Sequence, residues 1–225
     1  MSRVPVLSIA AGLIGAALVP AASAEPMRPV QDSTPQHQYP ALNDYVSDPL
    51  EVQAAHNFGA CIVGYTPEGA KQVLSLDDRS EEYSRKLHEL AKGHVDRCAL
   101  GGWRYKFSPS LISGGMAEAL LKSNGHQADL PKELAYDPSR QPIAARGPLE
   151  EMALCAVMKD PQETLRIFST QPATVAEAEA MGPMTDVLTK CLKKDTQVEL
   201  NKAGIRALLA LAAWRVVNTP EGAAQ

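Results

Sequence analysis

The chain has 225 residues, of which 45% are apolar and 21% are charged, and this composition excludes intrinsic disorder over the whole length. The formal charge of -4 lacks the basic excess that binding to a phosphate backbone or to an anionic membrane surface requires, so we expect no nucleic-acid partner. At about 100–200 residues per domain, the length fits one domain or two small ones. The composition alone identifies no reaction or ligand.

The N-terminus has the pattern of an export signal. Arg3 gives a short basic region, residues 4–19 are mostly apolar, and the small residues at 22–24 form a cleavage site. We expect residues 1–24 to be removed, which leaves an exported chain that begins at Glu25 and is periplasmic or secreted. An uncleaved membrane anchor is the alternative, and the prolines at both ends of the apolar region disfavour it. No later window is apolar enough to predict a membrane span.

Two proline-rich stretches divide the remaining chain. Residues 25–49 and 125–148 combine prolines with polar residues, a composition typical of extended or disordered linkers. They separate two segments, which we call unit 1 (50–124) and unit 2 (149–218), and a short tail (219–225) follows.

The two units resemble each other, which predicts an internal duplication. A chance match of alanine-rich helices is the alternative, but two cysteines and a proline keep their register through most of each unit. With a single one-residue gap, the equivalent positions are Cys61 and Cys155, Pro67 and Pro161, and Cys98 and Cys191.

Local signals predict helices at equivalent places in both units. A capping residue precedes the shared proline, at Thr66 and Asp160, where the missing N–H of proline costs nothing. A longer helix should start after Ser80 in unit 1 and after Thr174 in unit 2, because both residues cap helices well. Apolar residues then recur at helical spacing and predict the buried stripes Tyr83, Leu87, Leu90, His94, Val95 and Cys98, and Val175, Ala178, Met181, Met184, Leu188 and Cys191.

Each unit should end in a final helix. These helices start after Ser108 and Asn201 and end near Lys122 and Asn218, and the helix of unit 2 is apolar on most of its circumference, as core helices are. Residues 103–107 alternate aromatic and basic side chains and predict a short extended segment before the final helix of unit 1. We therefore predict an all-α protein of two tandem units, with three or four helices each, packed through their final helices.

Four cysteines in an exported protein favour two disulfides. A catalytic thiolate or a thiolate metal site would need a nearby histidine or C-x-x-C spacing, and neither occurs. The duplication favours one bridge inside each unit, Cys61–Cys98 and Cys155–Cys191. Bridges between the units, which join the first cysteines to each other and the second cysteines to each other, are the alternative that sequence leaves open.

The sequence contains no motif of a catalytic or metal site. No two histidines lie three or four residues apart, so no helix presents a histidine pair to a metal. The Ser-Gly-Gly run at 113–115 resembles a nucleophile loop but falls inside a predicted helix, where small residues allow close helix contact. The acidic residues at 77–82 are typical of a helix start. We expect no catalytic residue, metal or cofactor.

Two features stand out as candidates for a partner or ligand surface. The segment at 103–107 combines three aromatic residues with two cations, which suits a binding surface, but we favour a short strand with one apolar face over ligand binding. Arg206 lies within an apolar helix and needs a carboxylate or carbonyl partner if it is buried, and we favour such a structural pairing over ligand binding. The candidate residues are Trp103, Arg104, Tyr105, Phe107 and Arg206.

The repeated pattern resembles a family of exported bacterial proteins of unknown function, in which a cysteine, a proline-started helix, a second cysteine and a closing Arg/Ala/Leu helix occur twice. Unit 1 departs from the pattern by having Ser113 where unit 2 has Arg206. The resemblance implies no activity. The matching residues are Cys61, Pro67, Cys98 and 117–120 in unit 1, and Cys155, Pro161, Cys191 and 205–208 in unit 2.

We therefore predict an exported, non-catalytic helical protein that binds an unidentified partner. One alternative is an envelope enzyme that uses His88 and His94 of unit 1, which should show a cleft with polar groups converging on these histidines. The other is a carrier of a small apolar ligand, which should show an enclosed apolar cavity between the units. An interaction module should show an exposed apolar patch instead.

Overall fold

Nine α-helices form the regular structure of the residues that the computed structural model describes, which are 48–99, 108–123, 129–194, 196, 198 and 201–219. The predicted all-α fold class is confirmed. The predicted signal peptide, nearly all of the first proline-rich stretch and the candidate residues Trp103, Arg104, Tyr105 and Phe107 lie outside the described residues. The helices are α1 (Pro49–Tyr65), α2 (Pro67–Ser75), α3 (Glu81–Cys98), α4 (Pro109–Ser123), α5 (Leu130–Leu134), α6 (Pro148–Lys159), α7 (Pro161–Phe168), α8 (Val175–Cys191) and α9 (Lys202–Val217).

The helices start at the predicted capping residues, and most of these side chains make the capping bond, although Thr66 before α2 does not. Ser80 accepts a hydrogen bond from the backbone N–H of Tyr83 at the start of α3. Thr174 accepts one from Glu177 at the same place in α8, and Asn201 caps α9. These side chains satisfy backbone donors that the first turn of a helix leaves unpaired. Unit 1 thus contains α1 to α4, and unit 2 contains α6 to α9.

Two residues of the predicted buried stripes are exposed. Val95 is 44% exposed because it lies one position beyond the stripe that Tyr83, Leu87 and Cys98 define on α3. Val175 is 76% exposed because it is the first residue of α8, where the buried position of the first turn belongs to Glu177. The helical spacing therefore predicted most buried residues of both stripes correctly, but it was wrong for Val95 and Val175.

One disulfide holds each unit together, as predicted. Cys61–Cys98 joins α1 to α3 across a separation of 37 residues, and Cys155–Cys191 joins α6 to α8 across 36 residues. The Cα atoms are 5.7 Å apart in both bridges, within the usual range for a disulfide. The alternative pairing between the units is excluded by this connectivity.

The interpretation of 125–148 as a linker was wrong for the residues that the structure describes. Helix α5 lies within it, and both Leu130 and Leu134 are buried in the core. Further along, Arg215 of α9 donates a hydrogen bond to the backbone oxygen of Ala144 at 3.1 Å. Prolines are compatible with packed structure when they start helices or lie in extended backbone, and here apolar residues between them reach the core.

Helix α4 lies between α1 and α9 and touches both through adjacent glycines. A Cβ atom on Gly115 would lie 2.5 Å from the backbone oxygen of His56 in α1, and one on Gly114 would lie 2.6 Å from Ala207 in α9. Close packing of the two final helices is therefore confirmed, and the run at 113–115 is the point of contact. Apolar residues of both units contribute to one shared core.

Replacing Gly115 with alanine should lower the free energy of unfolding by about 1–3 kcal/mol, because the new methyl group meets backbone that cannot turn away. Gly93 of α3 is the control, since a Cβ atom there meets nothing within 4 Å. Gly93→Ala should raise stability by about 0.5–1 kcal/mol through helix propensity. Equilibrium unfolding in urea measures both changes, and two changes of the same sign would contradict the packing of α4.

Candidate functional site

A cluster of buried charged side chains joins α1, α4, α8 and α9. Glu118, Glu177 and Arg206 are exposed by only 0%, 2% and 3%. They come from α4, α8 and α9, and His56 of α1 completes the cluster. We call these four residues the buried ion cluster. Buried charges are costly unless they are paired and hydrogen-bonded, so their partners decide what the cluster does.

Glu118 has a partner for every lone pair of its carboxylate. Arg206 donates to it through two nitrogens, Nη2 to Oε1 at 2.7 Å and Nε to Oε2 at 2.8 Å. Lys122, one turn further along α4, donates to Oε1 at 2.6 Å. The Nε2 atom of His56 lies 3.0 Å from Oε2 and completes the set. The two-pronged contact with arginine is the strongest geometry available to a carboxylate.

Arg206 also uses all of its donors. Besides the two bonds to Glu118, its Nη1 atom donates to Glu177 at 2.9 Å and to the Thr170 hydroxyl at 3.2 Å. Its Nη2 atom reaches the backbone oxygen of Thr170 at 2.9 Å. Because Arg206 is buried and engaged in this way, it is not part of a partner surface. The structural pairing that the sequence favoured is the arrangement observed.

Glu177 is held in place by the loop before α8. Its Oε2 atom accepts a hydrogen bond from the backbone N–H of Ala173 at 2.7 Å, while Thr174 caps its own N–H. Ala173 has φ 56°, in the left-handed region that costs about 1–2 kcal/mol for a residue with a Cβ atom. Thr174 therefore caps α8 as predicted, Glu177 reaches back to Ala173 with one carboxylate oxygen, and its other oxygen binds Arg206.

Unit 1 has a polar pair at the positions that the predicted duplication aligns with Glu177 and Arg206. Tyr83 aligns with Glu177 and Ser113 with Arg206, and their hydroxyl oxygens lie 2.5 Å apart. Burial raises the pKa of Tyr83 to about 12, against the opposing effect of its hydrogen bond with Ser113, so this pair is neutral. The same two positions thus hold a neutral hydrogen bond in unit 1 and an ion pair in unit 2.

Acid should weaken the buried ion cluster. Burial alone would raise the pKa of Glu118, but the hydrogen bonds from His56 and Arg206 outweigh it and lower the pKa to about 2. A carboxyl whose folded-state pKa is depressed stabilises the fold above its unfolded pKa, near 4.5, and this contribution is lost as the pH falls toward 2. The free energy of unfolding should therefore drop over this window.

The acid effect can be isolated by comparing wild type with Glu118→Gln in urea titrations between pH 6 and pH 2. The variant lacks the titrating group, so its free energy of unfolding should fall less over this window than that of wild type. Asp78 is a control of opposite sign, because burial raises its pKa despite the nearby Arg146. Asp78→Asn should make the free energy of unfolding fall more steeply with decreasing pH than it does in wild type. Parallel profiles for wild type and Glu118→Gln would contradict the depressed pKa.

Two cavities lined by described residues are large enough only for water. One, of about 20 Å³, lies between Tyr83, Asp78 and Trp214, and the other, of about 10 Å³, lies beside the buried ion cluster. A single water needs roughly 10–15 Å³ measured in this way. At the first cavity Arg146 and Arg215 are already paired, with Asp78 and Glu150 respectively.

The outer surface near the disulfide of unit 1 carries an aromatic and a cation. Tyr65 is 57% exposed, and the guanidinium of Arg97 lies 5.4 Å from the centre of its ring. The ring of His94 lies 6.2 Å from that of Tyr65. We call these three residues the Tyr65 surface. The sequence did not single out Tyr65, because an exposed aromatic at a helix end has no periodic signal.

The enzyme alternative depended on His88 and His94, which both lie on α3. His88 is exposed on α3, and His94 places its Nδ1 atom 2.8 Å from the backbone oxygen of Leu90 in its own helix. Sequence reasoning did not identify His56, Glu118 or Glu177, which the structure brings together around Arg206. Within the described ranges, no group of three or more histidine, cysteine, aspartate or glutamate side chains is arranged to hold a metal ion.

The fold and the site together define an all-α protein of two disulfide-stapled helical units with a charged cluster buried between them. Of the helices in the described ranges, none is long and apolar enough to cross a membrane. Comparison of the chain with protein-family models, with curated proteins and with solved structures finds no match.

Proposed function

We propose that this chain is an exported, non-catalytic helical protein that acts by binding a partner. The observation that carries the proposal is that the protein itself provides hydrogen-bond partners for its buried ionisable groups. Glu118 accepts four hydrogen bonds and Arg206 donates from every nitrogen, so both are occupied by the protein itself. A general acid or base has to reach a substrate proton directly or through one water, which these side chains do not do.

Export is supported by the two disulfides. Such bridges form and persist in oxidising compartments, and both join helices in the way a small exported domain requires. With the predicted signal at 1–24, we assign the protein to the periplasm or the exterior. Cell fractionation followed by mass spectrometry of the mature N-terminus tests this. A chain that begins at Glu25 outside the cytoplasm is expected, and a cytoplasmic chain that retains Met1 would overturn it.

Among the described residues, the Tyr65 surface is the best candidate for the partner interface. Tyrosine and arginine dominate the binding energy of protein interfaces, since both bury a large area and still offer polar atoms. Tyr65 and Arg97 lie together on the outside of unit 1, and α3 ends only a few residues before the candidate segment at 103–107 in the sequence. We take this region, with an unidentified protein as its partner, as the functional face.

A cross-linking experiment in the native envelope tests the face. Tyr65→Ala and Arg97→Ala should each reduce recovery of any protein that cross-links to wild type by at least roughly tenfold, the effect of losing one interface hot spot. Val175→Ala is the matched control, because Val175 is more exposed than Tyr65 but lies at the start of α8. Recovery of the same proteins by all three variants would reject the Tyr65 surface as the interface.

The two other functions remain as alternatives with their own tests. If the His88 and His94 region is an active site, a variant with alanine at both positions would lose turnover. This test first requires a substrate to be identified. A carrier would bind a fluorescent fatty acid saturably and with one site per chain. Membership of the resembled exported family remains a prediction.

A further inference from the structure

We infer that the bond between Glu118 and Arg206 is a latch, which lets the two units open and close as folded bodies. The pair joins α4 of unit 1 to α9 of unit 2 through two short hydrogen bonds, of 2.7 and 2.8 Å, in the interior of the protein. In unit 1 the equivalent of Arg206 is Ser113, which reaches only Tyr83 of its own unit. The two-pronged bond between the units is therefore made by Arg206 and has no counterpart at Ser113.

Each end of the latch has a second partner within its own unit. Glu118 keeps His56 and Lys122, which are both in unit 1. Arg206 keeps Glu177 and Thr170, which are both in unit 2. Breaking a buried ion pair is usually costly because it leaves one charge without compensation. Here opening leaves neither Glu118 nor Arg206 without a polar partner, so the open arrangement is accessible as a minor state.

The remaining structure allows the units to move without unfolding. Each disulfide lies inside one unit and keeps α1 with α3 or α6 with α8. At the joint itself, α4 meets α9 closely at Gly114 and Ala207, where both residues are small. Among the described residues, another polar link between the units is the hydrogen bond from Gln53 to the backbone oxygen of Pro172 at 3.0 Å. The shared apolar core keeps the closed state dominant.

Hydrogen–deuterium exchange of the mature, disulfide-bonded protein tests the latch. In Glu118→Gln the carboxylate becomes an amide and the charged contact with Arg206 is lost. Backbone exchange in α4 and α9 should then rise roughly tenfold or more, while α3 and α8 keep their protection. Glu150→Gln is the matched control. It removes a contact with Arg215, which is also on α9 but is more exposed and stays within unit 2, and should leave α4 unchanged.

Two results would overturn the latch. An equal rise of exchange in every helix of Glu118→Gln would mean that the pair only adds global stability, and unchanged exchange in α4 and α9 would mean that it holds nothing closed. If the variant does not fold, the wild type is measured at increasing urea below its unfolding transition. Joint loss of protection in α4 and α9 before α3 and α8 supports the latch, and simultaneous loss in all four helices rejects it.

Discussion

Replacing Arg206 with methionine is expected to lower the free energy of unfolding by about 3–5 kcal/mol. Methionine fills a similar volume, so the loss arises from charge and not from a cavity. Glu177 keeps only the N–H of Ala173 as a partner, and Glu118 loses its two-pronged contact. Two carboxylates that are almost fully buried then lack their main counter-charge. Urea unfolding at pH 7, with the disulfides intact, measures the change.

The same substitution at Arg215 is the control for this prediction. Arg215 is also on α9 and pairs with Glu150, but its side chain is 21% exposed, so Arg215→Met should cost no more than about 1 kcal/mol. Adding Glu177→Gln to Arg206→Met should restore part of the stability, because it removes one stranded charge. A loss below about 1 kcal/mol in Arg206→Met, or no recovery in the double variant, would show that the cluster is not desolvated.

Local signals in the sequence predicted the parts of the fold that depend on neighbouring residues. Ser80, Thr174 and Asn201 cap helices because their side chains reach backbone donors only three residues away. The disulfide pairing followed from a repeat that can be read without knowing how the units meet. The exposed Val175 shows the limit of this approach, since the periodicity of a helix does not say where its buried face begins.

The site was harder to predict because its contacts link distant parts of the chain. Arg206 was recognisable, since a cation in an apolar helix needs a partner. Its partners were not: Glu118 lies in an alanine- and leucine-rich helix, and Glu177 reads as an ordinary capping residue. Both become partners of Arg206 only through the packing of α4 and α8 against α9. Likewise, the composition of the described part of 125–148 is that of a linker, and only tertiary packing shows that Leu130 is buried in the core.

Removing either disulfide by replacing both of its cysteines with alanine should lower the free energy of unfolding by about 2–5 kcal/mol. The loops closed by the two bridges differ by a single residue, at separations of 37 and 36, so the entropy that each removes from the unfolded chain is nearly the same. Any difference between the two variants must therefore come from the folded state. Cys98 is buried against the core whereas both cysteines of unit 2 are partly exposed.

We accordingly expect the loss to be greater for the Cys61–Cys98 pair than for the Cys155–Cys191 pair, by an amount that reflects this packing. Urea unfolding without reductant compares the two double-alanine variants directly. Wild type unfolded in the presence of a strong dithiol should lose the sum of both contributions, unless the bridges are coupled through the shared core. A loss below about 1 kcal/mol in both variants would mean that each unit is held by its neighbour, and the units would then be unable to separate as folded bodies.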